Sequence, residues 1–214
     1  MGKNKLKRFA EMADFPNTFQ YKKEMKGNWD KLFFKNGNRI VLELACGRGE
    51  YTIGLAQRND RVNFIGIDLK GARLWRGAKT AVETGMNHVA FLRTQIEDLE
   101  SYFDKDEVSE IWITFPDPFL KEAKSKKRLT SPRFIDIYRK IMPKGSGVNL
   151  KTDSSELYEY TLETLKELNI KPEIVYNDVY HQAQDFEALV GIQTTYENRW
   201  LKEGKKIKYI RFSI

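Results

Sequence analysis

The sequence predicts an α/β fold with a parallel sheet and helices on both faces. Two observations predict it. Short, nearly continuous apolar runs mark strands covered on both faces. Those runs alternate with segments of helical periodicity, which is the pattern of repeated strand–helix–strand units.

The elements follow in order. Residues 1–36 read as an extension with scattered aromatics, no clean strand, and cations Lys3, Lys5, Lys7, Arg8, Lys22, Lys23, Lys26 and Lys31. Ile40 to Ala45 is the first strand, and a helical pattern runs from about Glu50 to Arg58. Val62 to Ile67 is the second strand and Gly71 to Glu83 the second helix. Val89 to Leu92 and Val108 to Phe115 are the third and fourth strands. Pro132 to Ile141 is helical, Gly147 to Lys151 a fifth strand, and Ser154 to Leu168 a long helix. Glu173 to Tyr180 and Lys206 to Ile214 complete seven strands, with a short helix at Thr195 to Lys202 between the last two. Pro116 to Ser131 is the long stretch without periodicity, and loops of that length in a compact domain are usually functional.

Composition narrows the function. The chain has 214 residues, of which 41% are hydrophobic, enough to bury a core and to exclude wholesale disorder. Its net charge of +7 points to a polyanionic partner, nucleic acid or an acidic membrane surface. One cysteine, Cys46, excludes an internal disulfide framework, and two histidines leave little for zinc, so no metal is expected. There is no apolar run of membrane-spanning length, and the basic N-terminus lacks the apolar stretch of a secretory signal. The expectation is a soluble, basic, cytoplasmic protein that does not enter the membrane.

The chemistry gathers where strands end. After the first strand comes Glu43-Leu-Ala-Cys-Gly47-Arg-Gly49-Glu50, a glycine turn between strand and helix. Glycine allows positive φ and close ligand approach, and in a parallel sheet this turn faces the ligand crevice. Thr52 replaces the third glycine of a dinucleotide fingerprint. Glu43 is a poor neighbour for a pyrophosphate and a good one for a ligand with ammonium and sulfonium centres. Asp68, ending the second strand, suits the two ribose hydroxyls of a nucleoside cofactor. Together these residues favour S-adenosylmethionine over a nicotinamide dinucleotide. After the fourth strand, Pro116-Asp117-Pro118-Phe119 holds an acid between two residues of restricted φ. Lys121, Lys124, Lys126, Lys127 and Arg128 follow, cations suited to positioning a polyanion by its phosphates.

These segments, with Lys151-Thr-Asp153 and Thr194-Thr195-Tyr196-Glu197, resemble the bacterial tRNA (guanine-N7-)-methyltransferases over most of the chain from about Asn38. The resemblance implies a class I S-adenosylmethionine-dependent methyltransferase (Rossmann-like) fold. That fold has a seven-stranded, mostly parallel sheet with one antiparallel edge strand. It would occupy residues 37–214, with residues 1–36 as a basic N-terminal extension. It implies methyl transfer to N7 of a guanine in the tRNA variable loop. By the resemblance, Glu43, Gly47, Gly49, Asp68, Gln95 and Asp117 bind cofactor, and Asp117 is catalytic. Lys121, Asp153, Thr194, Thr195, Tyr196 and Glu197 contact substrate. Ala45 stands where relatives have a glycine, Gln95 where they have Asp, and Phe119-Leu120-Lys121-Glu122 where they have Trp-Pro-Lys-Lys.

Structural roles compete for some of these residues. Thr194-x-x-Glu197 is also a helix capping box, and Asp153 is also an N-cap or first-turn acid. Cations of the extension, of the 121–128 loop and of the last strand (Lys205, Lys206, Lys208, Arg211) would grip phosphates. The rival functions are an exocyclic-amine methyltransferase and a non-catalytic RNA-binding protein on the same fold. Monomer and homodimer both remain open.

Overall fold

The computed structural model describes the backbone of residues 2–214 and side chains from Lys5 onward; the expected phosphate grip of Lys3 lies outside the described residues. Helix α1 (Gly2–Ala13) and strand β1 (Thr18–Gln20) come first. Then follow β2 (Ile40–Leu44), α2 (Glu50–Ala56), β3 (Asn63–Asp68), α3 (Gly71–Glu83) and β4 (Val89–Arg93). Strand β5 (Val108–Thr114), α4 (Pro132–Ile141), β6 (Gly147–Thr152), α5 (Ser155–Glu167) and β7 (Pro172–Tyr176) come next. Two short helices, α6 (Val179–Gln182) and α7 (Glu187–Val190), precede α8 (Thr195–Lys202) and the last strand β8 (Lys208–Ser213).

The sheet has eight strands, not seven, in the order β1-β4-β3-β2-β5-β6-β8-β7. The additional strand is β1, in the basic extension, paired in parallel with β4. Three residues without an apolar run leave no strand pattern to read. The antiparallel strand is β8, hydrogen-bonded to β6 and β7 and one place in from the edge. The other ladders are parallel, so all but β8 end on the same side.

Central strands are covered on both faces, as continuous apolar runs require. One core packs Leu42, Leu44, Ile65 and Ile111 against Trp29, Phe134 and Leu157. The other packs Val41, Phe64, Phe91 and Trp112 against Met12, Tyr51, Leu74 and Leu189. From β2 the strand order runs one way through β3 to β4 and the other way through β5 to β6. The divergence opens a crevice beyond the C-terminal ends of β2 and β5.

Candidate active site

That crevice is a cleft of about 980 Å³. Its walls are the glycine turn after β2, the Pro116–Pro118 turn after β5, Asp153 to Glu156 after β6, and residues around α8 up to Lys208.

The turn after β2 is held in left-handed backbone. Ala45, Gly47 and Gly49 have φ of 56°, 57° and 70°. For Ala45, the residue standing in place of a glycine, this costs about 1 kcal/mol. A Cβ on Gly49 would lie 2.5 Å from the Phe91 ring, whereas one on Gly47 would meet nothing within 4 Å. Gly49 therefore serves helix–strand packing, and Gly47 borders open cleft.

Two acids brace the turn. The Asp68 carboxylate accepts from the backbone N–H of Gly47 at 3.0 Å and of Lys70 at 2.7 Å. Glu43 lies beneath, 3% exposed. Its carboxylate accepts from the Thr52 backbone N–H at 2.7 Å, from the Thr52 hydroxyl, and from the Thr114 hydroxyl at 2.6 Å. Burial pushes the Glu43 carboxyl up to about 7, the hydrogen bonds from Thr114 and Thr52 opposing it. Cys46 is buried in the turn, its thiol pushed up by the same desolvation, as fits a packing residue.

Asp117 is the opposite case. It is exposed on the cleft wall, with one protein contact, from the Phe119 N–H at 3.2 Å. The turn carrying it is braced on several sides. Phe115 and Phe119 on either side have φ of 48° and 43°. The Phe115 N–H donates to the Lys151 carbonyl at 2.8 Å, tying the turn to β6.

Several expected phosphate contacts are spent elsewhere. Arg128 is 5% exposed and donates to the carbonyls of Pro118 and Phe119, both at 3.1 Å, while lying over the Tyr160 ring. It clamps the Asp117 turn from behind. Arg211 pairs with Glu173 at 3.0 Å and Glu110 at 3.5 Å. Lys121, Lys124, Lys126 and Lys127 stay exposed beside the cleft. Lys205, Lys206 and Lys208 line it.

The resemblance-derived residues divide. Glu43, Gly47, Asp117, Asp153, Thr194 and Tyr196 line the cleft, and Asp68 and Gly49 lie directly under its turn. Asp153 does not cap α5; Ser154 does, accepting from the Leu157 N–H, while Asp153 takes Lys205 at 3.1 Å. Thr194 caps α8 through the Glu197 N–H. Thr195 donates twice to Glu50 and so ties α8 to α2. Gln95 is exposed just past the end of β4, before a 3-10 turn. Glu197 is fully buried beneath Thr194 and Tyr180. It pairs with Lys151 at 2.7 Å and accepts from the Tyr180 hydroxyl at 2.9 Å. Desolvation pulls the Lys151 ammonium down and the Glu197 carboxyl up, with their mutual attraction opposing both shifts.

Known proteins resemble this chain. A family model described as "Putative methyltransferase" matches residues 37–210. A tRNA (guanine-N(7)-)-methyltransferase of Bacteroides fragilis is 48% identical, over 99% of this chain and 86% of its own length. One of Christiangramia forsetii is 49% identical, over 99% of this chain and 98% of its own. The chain belongs to the tRNA (guanine-N(7)-)-methyltransferase family. Among solved structures, the 16S rRNA methyltransferase KamB superposes with a TM-score of 0.63 at 14% identity, over 84% of this chain and 89% of its own. That likeness establishes a shared methyltransferase fold. No helix among the described residues is long and apolar enough to cross a membrane.

For a member of this family, sequence reasoning missed the cleft residues Arg48, Arg73 and Trp200 and the supporting residues Thr52, Thr114 and Lys151. Arg48 lies between two named glycines, so its neighbours carried the signal. Thr114 sits beside Glu43 only because β2 and β5 pair, which one chain does not display.

Proposed function

We propose that the protein transfers a methyl group from S-adenosylmethionine to N7 of a guanine in the variable loop of cytoplasmic tRNA, through residues 37–214. Homology at 48–49% identity over nearly the whole chain supports the reaction. The observation that carries the site is the buried acid Glu43 and the Asp68-braced turn opposite an exposed, rigidly held Asp117 across one cleft.

The donor side fits a nucleoside with a cationic sulfur. Gly47 has no neighbour where a side chain would be, leaving backbone open to a ligand. Asp68 keeps lone pairs for ribose hydroxyls, and Glu43, in its ionised form, supplies negative potential beneath the turn. When bound, the donor supplies an electrophilic methyl on a sulfonium centre.

Guanine N7 carries a lone pair and no proton, so the nucleophile needs no base. Orientation can supply most of the rate. The base gains positive charge as the new bond forms. Asp117, anchored by Phe115, Arg128 and two prolines, can accept from the guanine N1–H and N2–H and stabilise that charge. The same bonds would reject adenine, which lacks those donors in that arrangement. Asp153, Thr194 and Tyr196 border the space left for RNA, and the exposed lysines of the 121–127 loop hold phosphates.

The test is incubation with labelled S-adenosylmethionine and bulk tRNA, followed by base-labile strand scission at N7-methylguanine. Label should appear at one variable-loop guanine. Label confined to exocyclic amines or to other bases contradicts the assignment.

A further inference from the structure

A second groove, of about 840 Å³, opens on the far side of the glycine turn, between α1 and the start of α3. Cations dominate it: Lys5, Arg8, Lys70, Arg73 and Arg93. No carboxylate lines it, and none among the described residues pairs with any of those five. What marks this groove is that five cations without a carboxylate partner converge on one concave surface.

The groove is firmly built. Gly71 at the start of α3 admits Phe9 and Met12 so closely that a Cβ there would lie 2.8 Å from the Phe9 ring. Met12 is fully buried, and the Trp75 indole N–H donates to Glu11 at 2.7 Å. Helix α1 is thereby held against α3. The Arg93 guanidinium lies 4.9 Å from the Phe9 ring centroid and 5.4 Å from that of Tyr21, and it donates to the Tyr21 hydroxyl. Tyr21 and Leu69 nonetheless stay 62% and 50% exposed. Cations without carboxylate partners, set beside the part-exposed rings of Phe9 and Tyr21, suit single-stranded or looped nucleic acid, phosphates on the cations and bases on the rings. An acidic membrane would match the charge alone, and a concave wall suits a strand better than a bilayer.

Arg73 lines both this groove and the methyl-transfer cleft. The two sites therefore meet at Arg73, within reach of one polyanion. We propose that the α1–α3 groove is a second RNA-docking site, holding a segment of the same tRNA whose guanine enters the cleft. This inference rests on the tRNA reading and extends it to a surface that α1 builds together with the ends of β3 and β4 and the start of α3.

The test uses the full chain with Lys5→Glu and Arg8→Glu combined, side chains that are exposed, line the groove and lie outside the cleft. Affinity for tRNA should fall roughly tenfold or more, and the slope of log affinity against log salt should flatten by about 1.5 for two phosphates lost. Affinity for S-adenosylmethionine and the melting midpoint should stay unchanged. Unchanged tRNA affinity and slope would overturn the proposal. So would an unchanged tRNA affinity with lost binding to vesicles of anionic phospholipid, which would make the groove a membrane contact. If the variant does not fold, photo-crosslinking of wild-type protein to tRNA decides. Adducts at Tyr21 or Phe9 support the groove, and adducts confined to the cleft and the 121–128 loop refute it. Wild-type protein that binds no tRNA would instead sink the functional reading itself, a different outcome of the same titration.

Discussion

Glu43 and Asp117 stand near the ends of adjacent strands, and the chain treats them in opposite ways. Glu43 is buried, held by two threonines, and pushed up to about 7. Asp117 is exposed and lightly bonded, while its backbone is fixed by strained neighbours and a buried arginine. A site for a small, well-defined donor can build its charge into the core. A site for RNA must leave its acid reachable and obtain rigidity from the main chain. The two halves of the cleft thus divide into a wall built mostly of backbone and buried acid, and a wall of exposed side chains braced from behind.

The bracing is the place to break this contrast first. Lys151→Met strands the Glu197 carboxyl in the core behind α8 and should cost about 3–5 kcal/mol in denaturant unfolding. Adding Glu197→Met should restore most of it. A loss under about 1 kcal/mol for the single change would mean that the pair does not hold α8 in place beside the cleft.

Next comes Asp117→Asn, which keeps shape and removes charge. Turnover on tRNA should fall on the order of a hundredfold, with donor affinity nearly unchanged. Full turnover would remove Asp117 from the chemistry.

The Glu43 side of the cleft has its own signature in pH. Glu43 titrates near 7 when folded, against an ordinary value of 4.5. Between those values the folded state holds a proton that the unfolded state has released. Stability should therefore decline as pH rises from 4.5 through 7, by about 3 kcal/mol, and then level off. Glu43→Gln should flatten this decline. An equal decline in the variant would show that other groups cause it.

The smallest effects separate the two glycines. Gly49→Ala meets both Phe91 and a φ of 70° and should cost about 3 kcal/mol. Gly47→Ala meets only the unfavourable φ and should cost about 1 kcal/mol. Equal costs by thermal unfolding would contradict the packing role of Gly49.

Legibility in the sequence followed the range of the contacts. The glycine turn, Asp68 and the Pro116–Pro118 segment were readable because each carries its chemistry within a few residues of a strand end. Strand β1 was not, since its pairing with β4 spans the chain and includes the Phe91 N–H to Asn17 carbonyl bond. Arg128 reads as one more loop cation, because carbonyls and phosphates ask for the same donor. Glu197 reads as a capping acid or substrate contact; its partner Lys151 lies 46 residues away, and nothing local announces the pair.

A crystal structure with S-adenosylhomocysteine, the demethylated donor, tests the division of the cleft most directly. The expected density lies along the turn at Gly47, with the ribose hydroxyls on Asp68 and the sulfur facing across to Asp117. Density on the α1–α3 side of the turn, or Asp117 pointing away from the sulfur, would contradict it.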